Sequence, residues 1–307
     1  MKIVFMGTPD FAVPCLEALI RDGNELLAVF TQPDKPKGRG YTLTPPPVKV
    51  CALNHHIPVF QPNTLKDGEA LRLLQELDPE MIVVVAYGKI LPKEILELPK
   101  FGCVNVHASL LPQYRGAAPI QWAVLDGCKK TGVTTMYMDV GLDTGDMLMK
   151  SELDIGENET ADELHDRLSQ LGAELIVRTV HAAAEGTLVR EKQDDSQSCY
   201  ASMLTKEMSA VDFTKPAQQV HDLVRGLNSW PSAVAVLNGK RLKLHRTLVT
   251  KGSGKPGQVL SLKPLVVACG EGAVELLEVQ PEGKKKMTAQ AFLNGLHDVK
   301  AEDLVFS

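Results

Sequence analysis

The chain has few aromatic residues, 5% of its length, and no stretch of about 18 consecutive apolar residues, the least that crosses a bilayer as a helix. A membrane-spanning role is therefore not expected. Its six cysteines, Cys15, Cys51, Cys103, Cys128, Cys199 and Cys269, form no CxxC pair, which argues against zinc or another bound metal and for free thiols in a reducing compartment. The opening residues MKIVFMGTPD pass directly into an apolar run and a turn, a start that does not read as a secretion signal or a transit peptide. A cytoplasmic location is the expectation. GxGxxG is also missing after that first run, where Gly7-Thr8-Pro9 stands instead, so a nicotinamide-dinucleotide site is disfavoured. Residues 223 to 270 hold no aspartate or glutamate, yet they include Arg225, Lys240, Arg241, Lys243, Arg246, Lys251, Lys255 and Lys263.

The remaining composition is ordinary, with 44% hydrophobic and 23% charged residues in 307, which suits one large core or two smaller ones, and two domains are expected. The net charge of -5 divides unevenly. Residues 207–307 carry 13 Lys plus Arg against 10 Asp plus Glu, a balance of +3, and residues 1–206 carry 20 against 28, a balance of -8. A basic surface attracts a polyanion but also serves as a plain solvated face, and charge alone leaves both open.

Apolar runs bounded by turn residues recur at 2–7 (KIVFMG), 25–32 (ELLAVFTQ), 81–88 (MIVVVAYG), 102–109 (GCVNVHAS) and 132–139 (GVTTMYMD). Runs this uniform fit strands buried on both faces, and amphipathic segments from Phe11 to Arg21 and from Glu69 to Leu77 fit the helices that cover them. The pattern predicts an α/β domain over 1–189, a Rossmann-like, mostly parallel sheet closed by a helix from Ala161 to Glu185. Residues 190–206 turn polar, lose the periodicity and read as a linker. Over 207–307 a short helix near Gln218 to Leu227 precedes brief strands broken by Asn-Gly, Gly-Ser-Gly and Pro-Gly. That pattern predicts a smaller C-terminal β-barrel, OB-like and suited to nucleic acid.

The stretch NVHASLLP at 105–112 carries the chemistry. On a strand, Asn105 and His107 point to one face near its carboxyl end, where ligands of open α/β sheets bind. A hydrogen-bonded core pair is the plainer alternative. A second stretch, DVGLDTGDML at 139–148, crowds Asp139, Asp143 and Asp146 between Gly141 and Gly145, so the backbone can bend sharply and deliver a carboxylate. A capping turn is the alternative there; the spacing does not match a calcium loop. An amide, an imidazole and a carboxylate together suit acyl transfer, in which one group accepts a proton and the others stabilise an oxyanion. Residues 31–49 form a further long loop with Lys35, Lys37, Arg39 and Lys49 against one acid, Asp34. Such length is unusual for a βα connection and points to function, although a surface loop is the alternative. His55, His56, His165, His181, His221, His245 and His297 are scattered and read as structural or solvated; Trp122 and Trp230 read as packing residues.

NVHASLLPQYRGAAPIQWA at 105–123, followed by GVTTMYMDVGLDTGDML at 132–148, resembles the folate-dependent formyltransferase family. FMGTPDFAVP (5–14), FTQPDKPKGRGYTLTPPPVK (30–49), VVVAYGKILP (83–92) and QPEGKKKMTAQ (280–290) resemble the branch of that family that formylates methionine on initiator tRNA, so the likeness spans almost the whole chain. Ala108 and Ser229 are small departures. The resemblance implies transfer of a formyl group from 10-formyltetrahydrofolate, a cosubstrate, to the α-amino group of methionyl initiator tRNA. No stable protein partner is evident in the sequence, and a monomer is the expectation. The resemblance also implies that Asn105 donates to the formyl oxygen, that His107 supports the same charge, and that Asp143 sets the histidine's state and relays the amine proton. Ser109, Leu110, Leu111 and Pro112 match the segment lining the folate site. Lys35, Lys37 and Arg39 would meet the acceptor end of the tRNA, and Lys240, Arg241, Lys243 and Arg246 its backbone. Other acceptors, an aminosugar nucleotide, glycinamide ribonucleotide or water, keep the same site, but the basic loop and the acid-free stretch argue against them. An RNA-binding protein with a scaffold α/β half would bind no folate.

Overall fold

A computed structural model describes residues 1–37, 42–296 and 299–307; Arg39 and His297 lie outside them. The chain forms two compact units, Met1–Gly116 with Thr131–Leu153 and His165–Tyr200, and Ala117–Lys130 with Asp154–Leu164 and Ala201–Ser307.

Elements of the first half are Lys2–Gly7 (β1), Val13–Arg21 (α1), Glu25–Phe30 (β2), Lys35–Lys37 (β3), Thr42–Thr44 (β4), Pro47–Asn54 (α2), Val59–Phe60 (β5), Glu69–Leu77 (α3), Met81–Val85 (β6), Lys93–Leu96 (α4) and Cys103–His107 (β7). Arg115–Gly116 (β8), Pro119–Leu125 (α5), Lys130–Tyr137 (β9), Met147–Asp154 (β10), Ala161–Glu185 (α6) and Tyr200–Ala201 (β11) follow.

The first unit is organised by a seven-stranded sheet in the order β10-β9-β7-β6-β1-β2-β5. β1 pairs in parallel with β2 and β6, β2 with β5, and β6 with β7, the mostly parallel sheet that the apolar runs imply. β1 and β6 are buried nearly end to end, because a strand covered on both faces must be apolar at every position. One face holds Met6, Phe30, Ile82, Val84, Tyr87, Ile95 and Cys103. α6 lies over the other, where its Gly172 sits against Val106, Val133 and Cys15. β9 runs antiparallel to β7, with Val104 opposite Tyr137 and His107 opposite Thr134. The loop after β9 therefore begins beside the amino end of β7 and must return along that strand to reach His107. Within residues 31–49 strands β3 and β4 pair antiparallel and α2 begins at Pro47, structure that the sequence does not announce.

In the second unit, Ala217–Gly226 (α7) precedes Ala233–Leu237 (β12), Lys240–Thr250 (β13), Val259–Leu262 (β14), Leu265–Ala268 (β15), Ala273–Pro281 (β16), Met287–Thr288 (β17) and Ala289–Asn294 (α8). The antiparallel sheet runs β12-β13-β16-β15-β14, with β17 beside β16. Its two edges meet the same C-terminal residues. Val236 and Ser307 exchange backbone hydrogen bonds on one side, and Phe306 donates to Gly257 on the other, so the sheet closes as a small barrel must. A Cβ at Gly257 would stand 2.1 Å from the Phe306 carbonyl oxygen, which explains a glycine there. Among the described residues no helix is long and apolar enough to cross a membrane.

Candidate functional site

Asn105 and His107 occupy alternate positions of β7 on the face they share with Cys103, which packs into the core of Ile82 and Val84. That core stops short of the strand's carboxyl end. His107 is buried, whereas Asn105 is partly open, and among the described residues its side-chain amide has no hydrogen-bond partner. A polar side chain at a strand end with its donors unused is poised for a ligand rather than for the core.

His107 is held on both sides. Its Nε2 lies 2.9 Å from the Tyr114 carbonyl; a carbonyl only accepts, so Nε2 carries the proton. Its Nδ1 faces Oδ1 of Asp143 at 3.7 Å. The other Asp143 oxygen, Oδ2, accepts from the Gly116 backbone N–H at 2.9 Å. Asp143 has φ 53, a left-handed conformation that costs a non-glycine residue energy and persists only where the surroundings impose it. Two residues on, a Cβ at Gly145 would lie 1.8 Å from the Tyr137 carbonyl oxygen, so only glycine allows the loop to return so close to β9.

The structure distinguishes the three acids that the sequence crowds together. Asp139 accepts from the Gly141 N–H and the Thr144 hydroxyl within its own turn, and Asp146 pairs with Arg190 at 2.9 Å. Only Asp143 faces the imidazole. Val140 and Leu142, on the same loop, are exposed apolar side chains, as is Ile90 beyond β6.

Of the predicted folate segment, Leu110 and Pro112 are partly exposed, while Ser109 and Leu111 are buried. Ser109 Oγ donates to the Gln113 carbonyl at 2.6 Å and its own carbonyl accepts from Thr134 Oγ1 at 2.7 Å; Leu111 packs on Met136 and Met147. Those two residues shape the loop, and Leu110 and Pro112 present surface. Lys35 is exposed in β3, and Lys37 ends that strand. Lys49 is engaged internally: its Nζ lies 2.8 Å from both carboxylate oxygens of Asp34, and this hydrogen bond, with that from Gln61, holds the Asp34 carboxyl below its ordinary value.

In the second unit Lys240, Arg241 and Lys243 are exposed along β13. Arg241 lies opposite Val236 and Lys243 opposite Val234, so both cations share the outward face of the hairpin. Lys243 is also opposite Gln280, whose Nε2 donates to the Lys284 carbonyl. The exposed turn with Lys284 and Lys285 therefore adjoins the same face, an addition that only strand register brings out. Arg246 is differently placed, paired with Glu163 and near Glu278. Trp230 departs from the expectation of packing: it is 51% exposed, in the segment between α7 and β12. Trp122 does pack, beside Leu204 and Leu227, with its Nε1 donating to the Ser202 carbonyl. All six cysteines are free thiols, and burial raises those of Cys15 and Cys103 to about 12. Among the described residues no three His, Cys, Asp or Glu side chains are placed to hold a metal ion.

Comparison with known proteins gives a consistent picture. A family model described as formyl transferase matches residues 1–180, and one described as formyl transferase, C-terminal domain, matches 203–297. The chain is 52% identical over 297 residues to a methionyl-tRNA formyltransferase of Geobacter metallireducens, covering 96% of each chain. It is 54% identical over 296 residues to that of Pelobacter propionicus, covering 96% of this chain and 93% of the other. Among solved structures it is similar to an N-formyltransferase of Helicobacter canadensis in complex with folinic acid and dTDP-3-aminofucose, with a TM-score of 0.70, 20% identity, and 90% and 99% of the two chains covered. HypX of Aquifex aeolicus in complex with tetrahydrofolic acid matches with a TM-score of 0.65 and 16% identity, covering 98% of this chain and 48% of that one. At such identities the two structures speak for the fold.

Proposed function

From the premise that this chain belongs to the formyl transferase family, we propose that it transfers a formyl group from 10-formyltetrahydrofolate to the α-amino group of methionyl initiator tRNA. The observation that carries the choice of acceptor is the identity of 52% over 96% of the chain to relatives that bear that activity in their name. The site supports the chemistry. As the amine nitrogen attacks the formyl carbon, the carbonyl electrons move onto oxygen, and the unused Asn105 amide donates to the oxyanion. Asp143, beside His107 and held by the Gly116 N–H, takes the proton leaving the amine. Collapse of the tetrahedral adduct then expels N10 of the folate, which accepts a proton, and leaves formylmethionyl-tRNA and tetrahydrofolate. His107 acts from behind Asp143, because its Nε2 proton is committed to Tyr114. Leu110 and Pro112, with the exposed Val140 and Leu142, supply apolar surface for the folate.

The basic face with Arg241 and Lys243, with Lys240 exposed at the start of the same strand, suits the tRNA backbone, and Lys35 and Lys37, with Arg39 outside the described residues, the acceptor end. Boundaries at 189 and 207, action as a monomer and residence in the cytoplasm complete the reading. The test is transfer of labelled formyl to methionyl initiator tRNA, methionyl elongator tRNA and free methionine. Transfer to the first alone is expected; transfer to none, with formate released or an aminosugar nucleotide accepting, would overturn the acceptor and keep the site.

A further inference from the structure

Residues 190–199, polar and aperiodic in sequence, lie as a strap against both loops that frame the site. Glu191 and Met147 exchange two backbone hydrogen bonds, at 2.8 and 2.9 Å, and Arg190 Nε donates to Asp146 at 2.9 Å. Gln193 is at the centre. Its Nε2 donates at 2.8 Å to the carbonyl of Asp143 and at 2.8 Å to that of Gly145. Its Oε1 accepts from Arg115 Nε at 2.9 Å. Two carbonyls can only accept and a guanidinium can only donate, so the amide fits in one orientation. Arg115 continues to Asp195 at 2.8 Å, and its backbone N–H donates to the Cys199 carbonyl at 3.0 Å.

We propose that Gln193 is a positioning residue for formyl transfer, a clamp between the Asp143 loop and the Tyr114–Gly116 loop. This rests on the assignment of Asn105, His107 and Asp143 above. The two loops must stay in register for two reasons. The carboxylate of Asp143 comes from one, while the carbonyl that fixes the His107 proton and the N–H that fixes Asp143 Oδ2 come from the other. Asp143 also sits in the left-handed region, which a free loop would leave. Gln193 bonds the carbonyl of that residue itself.

Two variants of the full-length chain separate positioning from bulk stability. Gln193→Glu keeps an acceptor for Arg115 but has no donor for the two carbonyls; Gln193→Leu removes every bond at similar size. Both are expected to lower kcat at least about 10-fold while KM for tRNA and for the formyl donor stays within about twofold, the pattern of a contact that matters in the transition state alone. Both should also move the His107 ring resonances in a ¹⁵N-histidine spectrum while the Tm stays near that of the wild type. A wild-type kcat in Gln193→Glu, or a fall matched by lost Tm with His107 resonances unmoved, would overturn the proposal. Failure of the functional reading shows separately, as no formyl transfer by the wild-type chain; the His107 spectrum then still decides whether Gln193 sets the geometry.

Discussion

Asn105 gives the simplest test among single residues, because nothing in the described protein uses its amide. Its removal should leave folding intact and act on the transition state. Asn105→Ala is expected to lower kcat roughly 100- to 1,000-fold, the usual loss for one oxyanion donor, with an unchanged unfolding curve. Single-turnover formyl transfer measures it, and a loss within about threefold would remove Asn105 from the mechanism. Asp143 differs in kind, since it is bound to Gly116, faced by His107 and held through its carbonyl by Gln193. Its substitution would disturb the loop as well as the charge, so a loss there is harder to assign to chemistry.

At the scale of elements, α7 shows how the second unit is tied together. Arg225 and Asp222 form a buried pair at 2.6 Å, and Arg225 Nη1 reaches the carbonyls of Gly156 and Glu159 at 3.3 and 3.0 Å. One turn earlier His221 contacts Thr247 Oγ1 at 2.9 Å and the Glu157 carbonyl at 3.1 Å. Burial lowers the His221 imidazole below its ordinary 6.5; Arg225 acts in the same direction, and Asp222 and Glu157 oppose it. The unfolded chain then binds a proton that the folded one refuses. Stability is full above 6.5 and falls as pH drops below it, because the unfolded state takes up more protons in that range. Urea midpoints across that range should show the fall in the wild type and a shallower one in His221→Gln. An equal slope in both would assign the effect to other groups.

For the whole molecule the relevant quantity is charge. If Lys240, Arg241 and Lys243 track phosphates, tRNA affinity should drop steeply with salt, and each substitution by alanine should reduce the slope of log K against log salt by about 1. Arg246→Ala should change it less, since Glu163 and Glu278 already engage that guanidinium. Filter binding at several salt concentrations measures both, and equal slopes for all four variants would show that register does not select the contact face.

Much of this was determined by the sequence itself. Strands buried on both faces must be apolar almost throughout, so β1 and β6 stand out, and the bounds of α3 and α6 agree with the segments read from periodicity. NVHASLLP and the Asp-Gly cluster are local signals, and both halves of the site are visible in them. The tertiary structure decided what depends on partners distant in sequence. Which of three aspartates faces His107 depends on the path of a loop returning from an antiparallel strand. Lys49 and Arg246 lose their freedom to acids 15 and 83 residues away, and Trp230 stands exposed where packing is expected. Gln193 was invisible for the same reason: a lone glutamine in a polar stretch has no periodicity, and only the folded chain sets its amide between two loops.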